Sequence, residues 1–207
     1  MYIPTSNLET RRPTLFEFMR RNSFAVLIAH ARGETVATHL PVMLEEGEGE
    51  NGTLYAHVAR VNPHAKMLNQ EALCVFSGPH AYISPTWYEV KNAVPTWNYA
   101  AVHAYGTPRE LSEEELRVLL GKMVETYEAG FEKPWKMDLS PEYEAGLLKA
   151  IVGFKIPITK LEGKWKLSQN RTRDEQARVI AGLNAQTDEN AREVARMMDR
   201  NLNAGGK

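Results

Sequence analysis

The stretch best suited to chemistry is His57-Val-Ala-Arg60-Val-Asn62-Pro63-His64. It leaves an apolar strand pattern and enters a segment opened by Pro63, whose fixed φ suits a first helical position. An arginine fork, an Asn side chain and unpaired amides at such a turn can converge on one anion, a phosphate above all. The plainer reading is that Arg60 pairs with a surface acid and Asn62 caps the helix. Downstream, Phe76 to Tyr88 and Val94 to Tyr99 concentrate aromatic rings among hydroxyls and amides. A planar heteroaromatic ligand wants that mixture of flat walls and a few donors. Rings on strands also build cores and interfaces, so both readings stand at this level.

Other signals are weaker. Gly47, Gly49 and Gly52 spell G-x-G-x-x-G, but Glu46, Glu48 and Glu50 lie between them and a strand pattern follows. A dinucleotide fingerprint needs a helix N-terminus there, so the segment reads as a hairpin loop. Six histidines (His30, His39, His57, His64, His80 and His103) include no i, i+4 pair with carboxylates nearby, which speaks against a metal site. The four aspartates all fall after position 137, which leaves a Ser-His-Asp relay without support. The single cysteine, Cys74, cannot form an internal disulfide. No apolar run spans a bilayer and no signal peptide is visible, so a cytoplasmic protein is expected.

The net charge is −1, without the basic surplus of a dedicated nucleic-acid binder. Charge is uneven, however: Lys149 to Arg173 holds seven bases and one acid, and Arg109 to Leu148 holds ten acids and five bases. That asymmetry can steer an anion, or simply mark two solvated faces.

These residues need elements to position them. Thr14-Leu-Phe-Glu17 reads as a capping box opening a helix that ends near Asn22. Strands are expected at Phe24–Ala31, Thr35–Leu44 and Leu54–Ala59, then a short helix from Pro63 to Leu68. Further strands are expected at Leu73–Ser77, Ala81–Val90 and Thr96–Gly106, with Lys91-Asn92 as the turn before the last. Ser112 to Glu115 is another capping box, and Ser140-Pro141 starts one more helix. Ile151–Leu161 returns to strand, with Pro157 implying an edge or a bulge. Helices at about Thr172–Leu183 and Thr187–Leu202 close the chain. Short connections between strands favour antiparallel pairing, hence a barrel or sandwich within one domain, 1–207, carrying a helical extension over about 172–203.

Several motifs together resemble the PaiB family of FMN-binding negative transcriptional regulators. They are Met1-Tyr-Ile-Pro4, His39-Leu-Pro41, His57 to Pro63, Gly78 to Pro85, Val94 to Tyr99 and Lys166-Leu-Ser-Gln-Asn-Arg171. The resemblance implies an α+β fold: an antiparallel split β-barrel of the pyridoxamine-phosphate-oxidase type, with peripheral helices and a C-terminal helical pair. It further implies FMN as cofactor and a homodimer with flavin at the subunit interface. Carried over by motif, the phosphate would meet Thr38, His39, Leu40, His57, Arg60, Asn62 and Lys66. The ring would lie near Trp97, Asn98 and Tyr99, with Gln169, Asn170 and Arg171 arriving from the last strand. The lysine-rich phosphate signature of the oxidases is not reproduced. DNA is a further expected partner, yet Arg171 to Lys207 carries seven bases against six acids, so the terminal helices are expected to pack instead. A flavin-dependent oxidoreductase or a haem-degrading enzyme is the alternative.

Overall fold

The computed structural model describes residues 1–31 and 33–204. In chain order the elements are β1 (Leu8–Glu9), α1 (Arg12–Arg21), β2 (Phe24–Ala31), β3 (Glu34–Pro41), β4 (Met43–Glu45), β5 (Thr53–Ala59), β6 (Ala72–Ile83) and β7 (Thr96–Gly106). There follow β8 (Arg109–Glu110), α2 (Glu113–Glu128), α3 (Pro141–Ala150), β9 (Ile151–Lys166), α4 (Arg173–Asn184) and α5 (Glu189–Ala204). Short 3-10 turns occupy Thr5–Asn7, Pro63–Lys66 and Pro85–Tyr88. The strand order is β3-β2-β6-β7-β9-β5-β4, with β1 and β8 both on β9. The fold is α+β with an antiparallel sheet. No helix among the described residues is long and apolar enough to cross a membrane.

The chain forms two compact units. The first takes Met1–Phe18, Ser77–Val102 and Glu162–Lys207; the second takes Met19–Phe76 and His103–Leu161. In the second unit β2 pairs antiparallel with β3 from Phe24↔Pro41 to Ala31↔Glu34, and with β6 at Val26↔Val75 to Ala29↔Ala72. Alternation on β2 turns Ala25, Leu27 and Ala29 inward. On its other side β5 pairs with β4 and, from Thr53↔Pro157 to Ala59↔Ile151, with β9. A satellite core of Leu111, Leu116, Leu119, Met123 and Leu148 lies under α2 and α3, with Met43 and Tyr55 packed against it.

In the first unit β1 joins β9 at Leu8↔Lys164 and Glu9↔Gly163. Gly163 cannot carry a side chain, because a Cβ would come 2.3 Å from Leu15 Cδ2 and 2.8 Å from the Glu9 carbonyl. Helices α4 and α5 pack on each other, and α4 also packs on Pro85–Tyr88. The apolar face of α5 is thereby used up, with Ala191, Val194, Ala195 and Met198 buried.

Several boundaries differ from the sequence reading, each for a physical reason. Helix α1 starts at Arg12, two residues before Thr14, because Pro13 in the first turn has no amide to satisfy there. The strand expected over Thr35–Leu44 breaks after Pro41: the Val42 amide donates to the Ser23 carbonyl, and β4 takes β5 as its partner. Residues 72–83 form one strand through Gly78, where a Cβ would lie 2.4 Å from Phe18 Cζ. Strand β6 stops at Ile83 because Ser84 caps the next turn, and the left-handed residue is Glu89 (φ 54°) rather than Asn92. Strand β9 runs on to Lys166 and lies between β7 and β5, with Pro157 opposite Thr53 at the ladder's end instead of on an edge.

Candidate functional site

In the second unit, β3 and β5 both pack on the Pro63–Lys66 turn. Pro63 starts this turn and Asn62 caps it, its Oδ1 accepting the His64 amide at 2.9 Å. That bond orients the Asn62 amide, whose Nδ2 donates to Thr38 Oγ1 at 3.2 Å. Thr38 Oγ1 in turn lies 2.8 Å from His64 Nδ1. The hydroxyl donates to Nδ1 in one imidazole tautomer and accepts from it in the other, so the contact anchors the ring in either. His64 is only 2% exposed, and its Nε2 has no partner. Burial pushes its pKa down, so the ring is held neutral. His57, half-buried on β5 opposite Gly153, repeats the theme: its Nδ1 is shut off without a partner and burial lowers its pKa.

The other residues of that turn are placed differently. Arg60 donates from Nε to the Lys149 carbonyl at 2.8 Å and from an Nη to the Ile151 carbonyl at 2.9 Å. Much of its fork is therefore spent on the end of α3, pinning it to the β5 turn. Lys66 is exposed, Leu40 is buried, and His39 stands on the exposed face with its ring stacked 6.3 Å from Phe24.

The first unit holds the remaining candidates. Trp97 is 53% exposed, and its ring lies 5.9 Å from Tyr82 and 6.2 Å from His80, forming an open aromatic platform. Lys166 fixes its backbone, with Nζ donating to the Trp97 carbonyl at 2.6 Å and also to Thr96 Oγ1. Burial and neighbouring Lys164 lower the Lys166 pKa. Lys164 Nζ sits 5.2 Å from the Tyr99 ring centre. Asn98 is fully buried, donating to Ser168 Oγ at 3.0 Å and to Met198 Sδ at 3.3 Å. Gln169 is spent on its own turn, bonding the Leu167 amide and the Trp165 carbonyl. Arg171 lies over the Tyr88 ring at 4.2 Å and 3.4 Å from Glu175, while Asn170 is exposed.

Thr38, Asn62 and His64 are thus brought together in one unit, and Trp97 with Tyr82 and His80 in the other. Asn98, Gln169 and Arg171 are occupied by internal bonds. The sequence-based set of cofactor-binding residues omits His64, Tyr82 and His80, although all three lie in the segments singled out for chemistry. The signal for His64 was the Asn-Pro-His order, since an Asn cap places the residue two positions on against its own side chain. A flavin phosphate or carbonyl oxygen fits an orphaned imidazole nitrogen in the tautomer that protonates it. An unpaired buried N–H costs about 1–3 kcal/mol, which an acceptor oxygen offsets. Exposed rings fit the isoalloxazine in the same way.

Comparison with known proteins bears on this geometry. The family model described as "Putative FMN-binding domain" matches residues 1–160. The chain is 38% identical over 205 residues to the protease synthase and sporulation protein PAI 2 of Bacillus subtilis, covering 98% of each chain. Among solved structures it resembles an FAD- and haem-binding protein from Mycobacterium smegmatis, with TM-score 0.63 and 15% identity over 83% of this chain and 78% of that one. It also resembles the flavocytochrome Anf3 of Azotobacter vinelandii, with TM-score 0.54 and 16% identity over 80% and 69%. At these identities the structural likeness concerns the fold.

Proposed function

This chain belongs to the PaiB family of FMN-binding proteins, and on that premise we propose that it is a flavin-holding negative regulator of transcription. The observation carrying this reading is 38% identity, over 98% of both chains, with a relative named for protease synthesis and sporulation. FMN, when bound, supplies hydride or one-electron chemistry. Thr38, Asn62 and His64 would hold the phosphate, with His57 beside them on the same strand-and-turn element. Trp97 and Tyr82 form an exposed ring platform of their own in the first unit. Exposed Trp97 and Tyr82 stand side by side, and covering these rings with a second copy would take apolar surface out of water, which supports a homodimer.

Contact with DNA would not run through α5. Its outer arginines are paired with glutamates: Arg196 with Glu189 and Glu193, and Arg200 with Glu193. Such pairs leave little free charge for phosphates. A gel-shift titration against the protein's own upstream region, at physiological salt, tests the regulator directly. Retardation that changes between oxidised and reduced flavin supports it. No retardation at micromolar protein, together with prompt flavin bleaching by NADH or NADPH, would favour a flavin-dependent oxidoreductase.

A further inference from the structure

A cleft of about 300 Å³ opens in the second unit between the β4–β5 hairpin and α2, and none of the flavin-site residues lines it. That volume sits at the small end of ligand sites. Buried Leu119, with Met43 and Tyr55, forms its inner lining on the satellite core, and Leu44 and exposed Val118 extend the apolar surface. Four carboxylates share the same lining: Glu45, Glu48, Glu114 and Glu115.

Their compensation is incomplete. Lys122 Nζ lies 3.4 Å from Glu45, and Lys155 Nζ lies 3.4 Å from Glu48 and 3.7 Å from Glu115. Two ammonium groups against four carboxylates leave two negative charges over. Glu114 has no ion pair among the described residues. Tyr55 registers the negative field: burial first, then Glu48, Glu115 and Glu45, push its hydroxyl pKa up. An anion would be repelled here. A bare metal ion would leave the apolar lining unused, and the lysines already bridge the carboxylates.

We propose that this cleft binds a small organic cation with an apolar body, a primary amine on an alkyl or aryl chain. The apolar lining takes the body, and Glu114 with its neighbours takes the ammonium. The site stands apart from the flavin reading and does not depend on it.

Titration of the full, FMN-loaded chain with 4-phenylbutylamine, 4-phenylbutanol and 4-phenylbutyrate, followed by NMR, tests this. The amine is expected to saturate with shifts on Val118 and Leu119, and the alcohol and acid to bind at least about tenfold more weakly. Glu114→Gln is expected to weaken the amine about three- to tenfold and leave the alcohol unchanged. Val118→Trp, at an exposed helix position, fills the cleft and should block the amine while FMN stays bound. Equal affinity for amine and alcohol, no saturation by the amine, or amine binding that survives Val118→Trp overturns the proposal.

Discussion

Thr38 Oγ1 stands 2.8 Å from His64 Nδ1, joining a strand residue to a turn residue 26 positions later. Asn62 completes the arrangement from the cap position. The contact anchors the imidazole and leaves Nε2 as its unpartnered nitrogen. Thr38→Val removes the partner of Nδ1 and leaves a buried polar nitrogen bare. It should cost about 1–2 kcal/mol of stability, read as a lower urea midpoint. Because the His64 ring loses its anchor, FMN affinity should fall as well.

Burial lowers the pKa of His57 and His64, which sets the sign of a pH effect. In the unfolded chain both rings protonate near their ordinary value of about 6.5. In the folded chain they stay neutral to lower pH, so the unfolded state binds more protons below that value. Stability should be flat above about pH 6.5 and decline as the pH falls below it. Urea midpoints from pH 5 to 8 measure this, and His64→Gln should make the decline shallower.

Asn98, buried between Ser168 and Met198, links β7 to the end of β9 and to α5. It also fixes Ser168, whose φ of 62° is costly for a non-glycine residue. Asn98→Leu should cost about 1–3 kcal/mol, because it leaves the Ser168 hydroxyl only the Tyr88 hydroxyl at 3.4 Å. Amide exchange should then quicken in α5 more than in α2.

Gly78→Ala and Gly163→Ala should both destabilise, but only one is rescuable. The obstacle at Gly78 is chiefly the Phe18 ring tip, at 2.4 Å, which Phe18→Leu shortens. At Gly163 the Glu9 carbonyl also stands in the way, at 2.8 Å, and no side-chain change moves it aside. Thermal unfolding of the double variants should show Phe18→Leu recovering most of the loss at Gly78→Ala, and Leu15→Ala recovering only part of the loss at Gly163→Ala.

Much of this was legible in the sequence. The short apolar run Phe24–Ala31 and the capping box at Ser112 are local signals, and local physics produced those elements. Asn62 as a cap was legible for the same reason. Asn98 and Arg60 were not, because their partners lie 70 and 89 or more residues away, and no spacing rule reports a carbonyl at the end of a distant helix. The aromatic platform was half legible. Ring density was plain between residues 76 and 99, but which rings face outward depends on strand register, and a single step inverts it.

Trp97→Ala tests the ring platform. It leaves Asn98 and the Lys166–backbone bond in place, so the fold should persist while self-association, read by sedimentation at micromolar protein, weakens.

The most direct test of the central claim is a titration of flavin-free protein with FMN and with riboflavin, followed by flavin fluorescence. One FMN should bind per chain, with riboflavin at least about tenfold weaker because the donors at His64 and Asn62 lose the phosphate. Equal binding of the two flavins would contradict the phosphate assignment, and failure of FMN to bind at high micromolar concentration would contradict the account as a whole.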